Sequence, residues 1–260
     1  MKKVKTKKND ILFLENGVLH CENGPAAIYH DHTIKWCKHG KLHRTDGPAL
    51  IKPDGTSMWF LDGKLHREAA PAVIRYVKDI YSWHSNKIDI IYEWWKNGIR
   101  HRDDGPAIID DLAQKRVYII NGLLHRENGP ALKVSNARQM REEWWISGQR
   151  HREDAPAIIW NLPKITQIWY NHGIVTRNDG PAIINGATNT NTGRYRWILN
   201  GKMHREDGPA EYVTDPYNQI IYLSWFLNGQ QLNEDQFWDK QKHTQHAGII
   251  FSNKINRILI

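Results

Sequence analysis

Seven histidines recur along the chain at near-regular intervals: His20, His43, His66, His101, His125, His151 and His204. Six of them precede an arginine, most often in a His-Arg-acid triplet such as His66-Arg67-Glu68. Imidazole is a common metal ligand and acid–base group, so a periodic set first suggests metal chemistry. The triplet echoes the His-x-Glu of zinc deaminases, but that chemistry also needs a Pro-Cys-x-x-Cys segment. The two cysteines, Cys21 and Cys37, do not supply one. Gly-x-Ser-x-Gly, Walker A and Gly-x-Gly-x-x-Gly motifs do not occur either. Carboxylates such as Glu153-Asp154 return at the same place in most copies, whereas a catalytic pair would be expected once. The histidines therefore read as a structural ladder, each ring nitrogen bonding backbone or the next rung. No metal, cofactor or enzymatic activity is expected.

The arginine after each histidine has two readings. The simpler is an ion pair with the acid that follows it, within or between repeats. The alternative is a row, including Arg102, Arg126, Arg152 and Arg205, that presents guanidinium groups to phosphates or acidic side chains.

Both readings depend on the repeat that carries these residues. Turn glycines at Gly17, Gly40, Gly63, Gly98, Gly122, Gly148, Gly173, Gly201 and Gly229 set a register of nine copies, the last degenerate. Eight residues after each of the first eight comes a Pro-Ala, from Pro25-Ala26 to Pro209-Ala210. Successive prolines lie 23, 23, 35, 24, 26, 25 and 28 residues apart, so the unit is about 23 residues and the excess marks insertions. Asn usually precedes the turn glycine, as in Asn97-Gly98, and this dipeptide tolerates the two positive φ angles of a type I′ hairpin. Counting outward from that turn, Leu61 faces Lys64 and Phe60 faces Leu65. An aromatic four residues before the glycine (Phe13, Trp36, Trp59, Trp94, Tyr118, Trp144, Trp169, Trp197, Trp225) then faces the histidine in seven of nine copies. Stacking should turn these pairs into an aromatic–imidazole column. In the acid-Gly-Pro stretch the glycine is expected to allow positive φ, and the proline lacks a ladder donor, so the chain turns there.

The pattern predicts an all-β fold: an elongated array of antiparallel β-hairpin repeats, eight full and one partial, over residues 11–232. Residues 1–10 read as a basic flexible tail and 233–260 as a C-terminal cap. Asn233 is a candidate N-cap, followed by Glu234 and Asp235, for a helix near 234–243 whose Phe237-Trp238 face docks on the last hairpin. Residues 248–251 are candidates for a closing strand.

With Trp, a turn Asn-Gly, and His three residues after the Gly, the unit resembles MORN repeats. It is similar above all to the variant repeats of YwqK-like antitoxin proteins and of tandem His-Arg-Glu-Asp-Gly-Pro-Ala proteins from phages and giant viruses. The resemblance covers residues 11 to about 232. MORN repeats carry Gly after the His, where this chain has Arg. The resemblance implies a hairpin ladder that binds proteins, here a phage or viral protein engaging a host or viral factor.

Periodic residues build a frame, so function is expected where the period breaks. The longest break, 75–91, holds Tyr76, Lys78, Tyr81, Trp83, His84 and Lys87, an aromatic-basic mixture suited to a protein partner. Shorter breaks lie at 133–143 and 185–196. The net charge of +8 is concentrated at one end, where Lys2, Lys3, Lys5, Lys7 and Lys8 fall within the first eight residues. Without those five the chain has 31 basic against 28 acidic residues, so the repeat body reads as nearly neutral. With no signal-peptide core, membrane span or disulfide framework, the sequence is expected to be soluble and cytoplasmic, without membrane contact. Exposed end strands open the way to a homodimer through the array edge. The leading functional expectation is a protein-binding scaffold; the alternative is sequestration of nucleic acid or a nucleotide messenger by the arginine row.

Overall fold

The computed structural model describes residues 1–78, 88–137, 139–161, 165–186 and 192–244. The chain divides into two units, Met1–Gln149 and Arg150–Ile260. Both are antiparallel hairpin arrays, and among the described residues the second also carries one helix, Glu234–Thr244. The all-β repeat fold read from the sequence is the observed one.

Each copy supplies two elements. The first is a small hairpin closed by the turn glycine. All nine turns have positive φ at both central residues, from Asn16/Gly17 to Asn228/Gly229, including copies where His39, Asp62, Ser147 or His172 stands in place of Asn. The registers Leu61↔Lys64, Phe60↔Leu65 and Trp225↔Leu232 match the count made outward from the turn. The paired aromatic and histidine also face each other, with the His125 N–H donating to the Tyr118 carbonyl at 3.2 Å and His204 to Trp197 at 3.1 Å.

The second element is a ladder. In the first unit it runs Ile34–Lys35, Leu50–Ile51, Ser57–Met58, Val73–Lys78, Ile88–Glu93, Ile108–Asp110, Lys115–Val117, Leu132–Asn136 and Gln139–Glu143, each paired with the next. In the second unit Ile158–Trp160, Thr166–Ile168, Ile183–Asn185, Gly193–Arg196, Glu211–Thr214 and Ile220–Leu227 repeat the pattern. The two elements join at the Pro-Ala step, where the aromatic N–H donates to the alanine carbonyl, for example Trp94 to Ala107 at 2.9 Å and Trp197 to Ala210 at 2.7 Å. All eight of these alanines are fully buried. Only a small side chain fits where ladder and hairpin meet; Ala107, with Val117 and Ile119, packs under Trp94, Ile108 and Leu124.

The first ten residues depart from the sequence expectation. Instead of a flexible tail, Lys2–Lys5 is a strand in register with Ile11–Leu14. The turn between them is held by Thr6 Oγ1 donating to Asp10 and by Asn9 at φ 67°. Asp10 in turn accepts the His30 backbone N–H at 2.9 Å, and this bond, with the His30 and Thr6 side chains, brings its carboxyl down to about 2. The lysines thus decorate an edge strand, a placement that discourages further strand addition.

The helix begins where expected. Asn233 Oδ1 accepts the Gln236 N–H at 2.8 Å, and Gln236 Oε1 accepts the Asn233 N–H at 3.1 Å, a reciprocal capping box. Phe237 is fully buried against Trp225 and Leu232, with Leu227 and Trp238 around it. Residues 248–251 lie outside the described residues.

Candidate binding site

The histidine ladder is a stitch between repeats. In every described case the ring Nδ1 faces the backbone N–H of the residue before the next copy's turn glycine. The pairs are His20 with His39 at 3.1 Å, His66 with Asn97 at 3.2 Å, His101 with Asn121 at 3.0 Å, His125 with Ser147 at 3.0 Å, His151 with His172 at 3.3 Å and His204 with Asn228 at 3.0 Å. His43 makes the same approach to Asp62 at 3.2 Å and also lies 2.9 Å from its carboxylate. The seventh copy substitutes Thr176, whose Oγ1 accepts from Asn200 at 3.1 Å. Where Nδ1 accepts a backbone N–H and meets no carboxylate, as for every ladder histidine but His43, the tautomer carries its proton on Nε2.

This tautomer bears on one cluster of metal-ligand type, Glu15, His20 and His39, whose ligand atoms lie within 4.8 Å of one another. Nδ1 of His20 accepts the His39 N–H, which leaves its Nε2 protonated and 3.7 Å from Glu15. A metal there would have to displace that proton or break the stitch. Metal-ligating histidines instead donate from their second nitrogen. The cluster fits a polar contact between repeats better than an ion.

The arginines are built into the frame as well. Arg44, Arg67, Arg102, Arg126, Arg177 and Arg205 each lie over the aromatic ring of their own copy, with Arg Cζ 4.1 Å from the Trp36 centroid at Arg44, 4.0 Å from Trp94 at Arg102, 3.9 Å from Tyr118 at Arg126 and 4.1 Å from Trp197 at Arg205. The stacked column is therefore aromatic on guanidinium, where the sequence suggested aromatic on imidazole. Each arginine also donates to the carbonyl of the proline four residues on, as Arg102 does to Pro106 and Arg126, Arg152 and Arg205 do to Pro130, Pro156 and Pro209, all at 3.3 Å. In four copies Nε also bonds an aspartate two residues later: Arg44 to Asp46, Arg102 to Asp104, Arg177 to Asp179 and Arg205 to Asp207. This is the intrarepeat ion pair of the simpler reading.

The geometry also revises the role of the glycine before proline. Of these, only Gly129 has positive φ. What glycine supplies is room, since a Cβ on Gly105 would stand 3.0 Å from Arg102 Cζ, and one on Gly208 3.1 Å from Arg205 Cζ. The guanidinium is sandwiched between ring and backbone. Its flexible end can yield by a few tenths of an ångström, which accounts for Ala70 and Ala155 at this place in two copies. Between successive sandwiches lie repeated clefts. One of about 740 Å³ has Arg177–Pro181 and His204–Asp207 as walls and Trp197 as floor, and a second of about 410 Å³ lies beside Trp94 and Arg102.

The inserts differ from the frame. In the longest, Val73–Lys78 pairs with Ile88–Glu93 in the register Tyr76↔Ile90 and Lys78↔Ile88. Tyr76 is 40% exposed and Ile88 56%, while one edge of the Tyr76 ring rests on Gly55. Of the predicted partner-binding residues, Tyr76 and Lys78 sit on this hairpin, and Tyr81, Trp83, His84 and Lys87 lie outside the described residues. So do Arg138 and 187–191 of the shorter breaks. At its base Glu93 is buried, accepting from Arg75, Arg100 and Trp95 Nε1. Glu143 holds the equivalent position with Arg141 and Trp145. Sequence reasoning passed over both, although an acid directly before a double tryptophan in the fourth and sixth copies is a readable signal.

Asp89, on the same hairpin, is buried, with Oδ1 accepting the Leu112 N–H at 3.0 Å. Burial and a hydrogen bond with Asp110 push its carboxyl up from the ordinary aspartate range. Folding thus favours its protonated form. That contribution is present below the ordinary aspartate range and is lost as pH rises through the elevated value, so at neutral pH the ionised group opposes folding. Asp89→Asn keeps the acceptor for Leu112 and can donate to Asp110. We expect it to raise the melting temperature at pH 7 by roughly 2–4 °C, with the gain shrinking as pH falls toward 4. Thermal scans across that range check it, and an equal or negative effect at pH 7 would contradict the assignment.

No protein-family model matches the chain, and comparison with curated proteins returns no match. Among the described residues no helix is long and apolar enough to cross a membrane.

Proposed function

We propose that the chain is a non-enzymatic scaffold that captures a protein partner, with the 75–91 insert as its main contact. The observation that carries this reading is a division of labour. The periodic histidines and arginines bond within the array, whereas Tyr76, Ile88, Met140, Ile165, Tyr217, Ile221, Tyr222 and Leu223 are exposed where the period breaks; the other large apolar side chains exposed among the described residues are Met1 and the post-turn Val18, Ile99, Leu123 and Ile174. An aromatic with one edge fixed on Gly55 and the rest open is a pre-ordered anchor, which limits the entropy cost of binding. The arginine-row alternative finds less support, because those guanidinium groups are stacked and hydrogen-bonded inside their own copies.

The test is affinity capture from the native host cell at low and high salt, read by mass spectrometry. A specific partner should be retained at high salt and lost from both Tyr76→Ala/Ile88→Ser and Tyr81→Ala/Trp83→Ala, with unfolding midpoints unchanged. Undiminished capture by both double variants would place the contact elsewhere.

A further inference from the structure

The repeats can be compared position by position at the hairpin tips, and this comparison exposes a feature that the frame does not require. The residue after the turn glycine lies over the next copy's turn: Val18 over Gly40, Lys41 over Gly63, Lys64 over Gly98, Ile99 over Gly122 and Leu123 over Gly148. Val, Ile and Leu fill this place as well as Lys does, so packing does not call for a charge. Yet the second to fourth copies carry Lys41 and Lys64 there, and Lys38 and Lys96 on the strand before the turn. All four lysines are exposed, and none has an acidic partner among the described residues. Lys38 is directly opposite Lys41, a like-charge pairing that disfavours the hairpin unless an anion relieves it. The tips of these three copies hold a single acid, Asp62, which lies against His43.

We propose that this lysine row binds the phosphate backbone of a nucleic-acid duplex without reading sequence. Each copy adds two strands to the ladder, so neighbouring tips recur about every 10 Å. Three tips therefore span about 20 Å, a stretch over which a duplex presents on the order of ten phosphates. Lysine suits this task as a flexible point charge that needs no fixed geometry. The exposed aromatics Tyr76, Tyr217 and Tyr222 lie on ladder inserts and not at the tips, so the row lacks the stacking platform that single strands use. The proposal is independent of the protein partner and of the insert that would hold it. It also moves anion recognition from the arginines, which the frame consumes, to lysines that it leaves free.

The experiment is fluorescence anisotropy of the full chain against a labelled duplex of about 20 base pairs, over a salt series. Matched arms use a single strand, poly-glutamate and vesicles with anionic lipid. The wild type should bind the duplex at low salt, with log K falling against log salt at a slope of about −3 to −4 for four contacts. Lys38→Gln/Lys41→Gln/Lys64→Gln/Lys96→Gln should weaken binding at least tenfold and flatten the slope. Its unfolding midpoint should not fall, since Gln149 and Gln230 already occupy the post-turn place in other copies and the change removes the Lys38–Lys41 repulsion. A second variant with Lys2, Lys3, Lys5, Lys7 and Lys8 changed to Gln should retain most of the affinity. The proposal is overturned by no duplex binding at low salt, by wild-type affinity in the tip variant, by loss only in the N-terminal variant, or by tighter binding to the single strand, poly-glutamate or vesicles.

Discussion

Phe237→Ala should detach the C-terminal helix and lower the stability of the second unit by about 3–5 kcal/mol, the range for emptying a fully buried aromatic site. Phe237 has no exposed surface, and its ring centroid lies 4.8 Å from Trp225 and 5.0 Å from Trp238. It thus fills the space over the ninth hairpin. A repeat array needs its ends covered, and this contact is the cover. The helix is short and begins Glu-Asp-Gln, so little of its stability is intrinsic. Losing the dock should melt it. Urea unfolding together with the helical circular-dichroism signal checks this. A variant that keeps both its midpoint and its helix would show that the capping box holds the helix without the dock.

His101→Leu should destabilise the first unit by about 1–3 kcal/mol, because Asn121 loses the acceptor for its N–H while an apolar group of similar size remains. His101→Thr should recover a good part of that loss. Thr176 already serves this purpose in the seventh copy, accepting from Asn200 at 3.1 Å. The comparison isolates the stitch from side-chain volume, since leucine is the better space-filler and threonine the better acceptor. His101 Nε2 also lies 2.9 Å from Asp103, so Asp103→Asn in the same background separates that contact from the backbone bond. Equal losses in the leucine and threonine variants would show that the imidazole stabilises by packing alone.

The two experiments probe residues of unequal legibility. Phe237 and Asn233 could be placed from sequence because a cap, an acidic first turn and an apolar pair are local signals. That Phe237, rather than the larger Trp238, becomes the fully buried ring depends on where the helix axis meets Trp225 and Leu232. The histidines were recognisable as a ladder, but their bond crosses from one copy to the next, about twenty to thirty residues along the chain.

The lower legibility of the binding surfaces has a related cause. The aromatic-basic insert could be found as a break in the period. The free lysines at the tips could not be separated from other lysines until the stacking showed which positions accept Val, Ile and Leu as readily. Similarly, Lys2–Lys5 looked like a tail because three of its four residues are lysine, and only its pairing with Ile11–Leu14 makes it a strand.

What the sequence determined by itself is whatever repeats and is local: the nine type I′ turns, the cross-strand register counted from them, the all-β array and the capped helix. Each follows from backbone rules acting over a few residues, and repetition confirms the register eight times over. What only the tertiary structure decided is how neighbouring copies use one another. It placed the guanidinium on the aromatic instead of the imidazole, gave the glycine before proline a steric rather than a torsional role in most copies, turned the histidines into backbone stitches and left the tip lysines of the second to fourth copies free. These choices arise from competition for contacts between copies in space, which spacing along the chain does not encode.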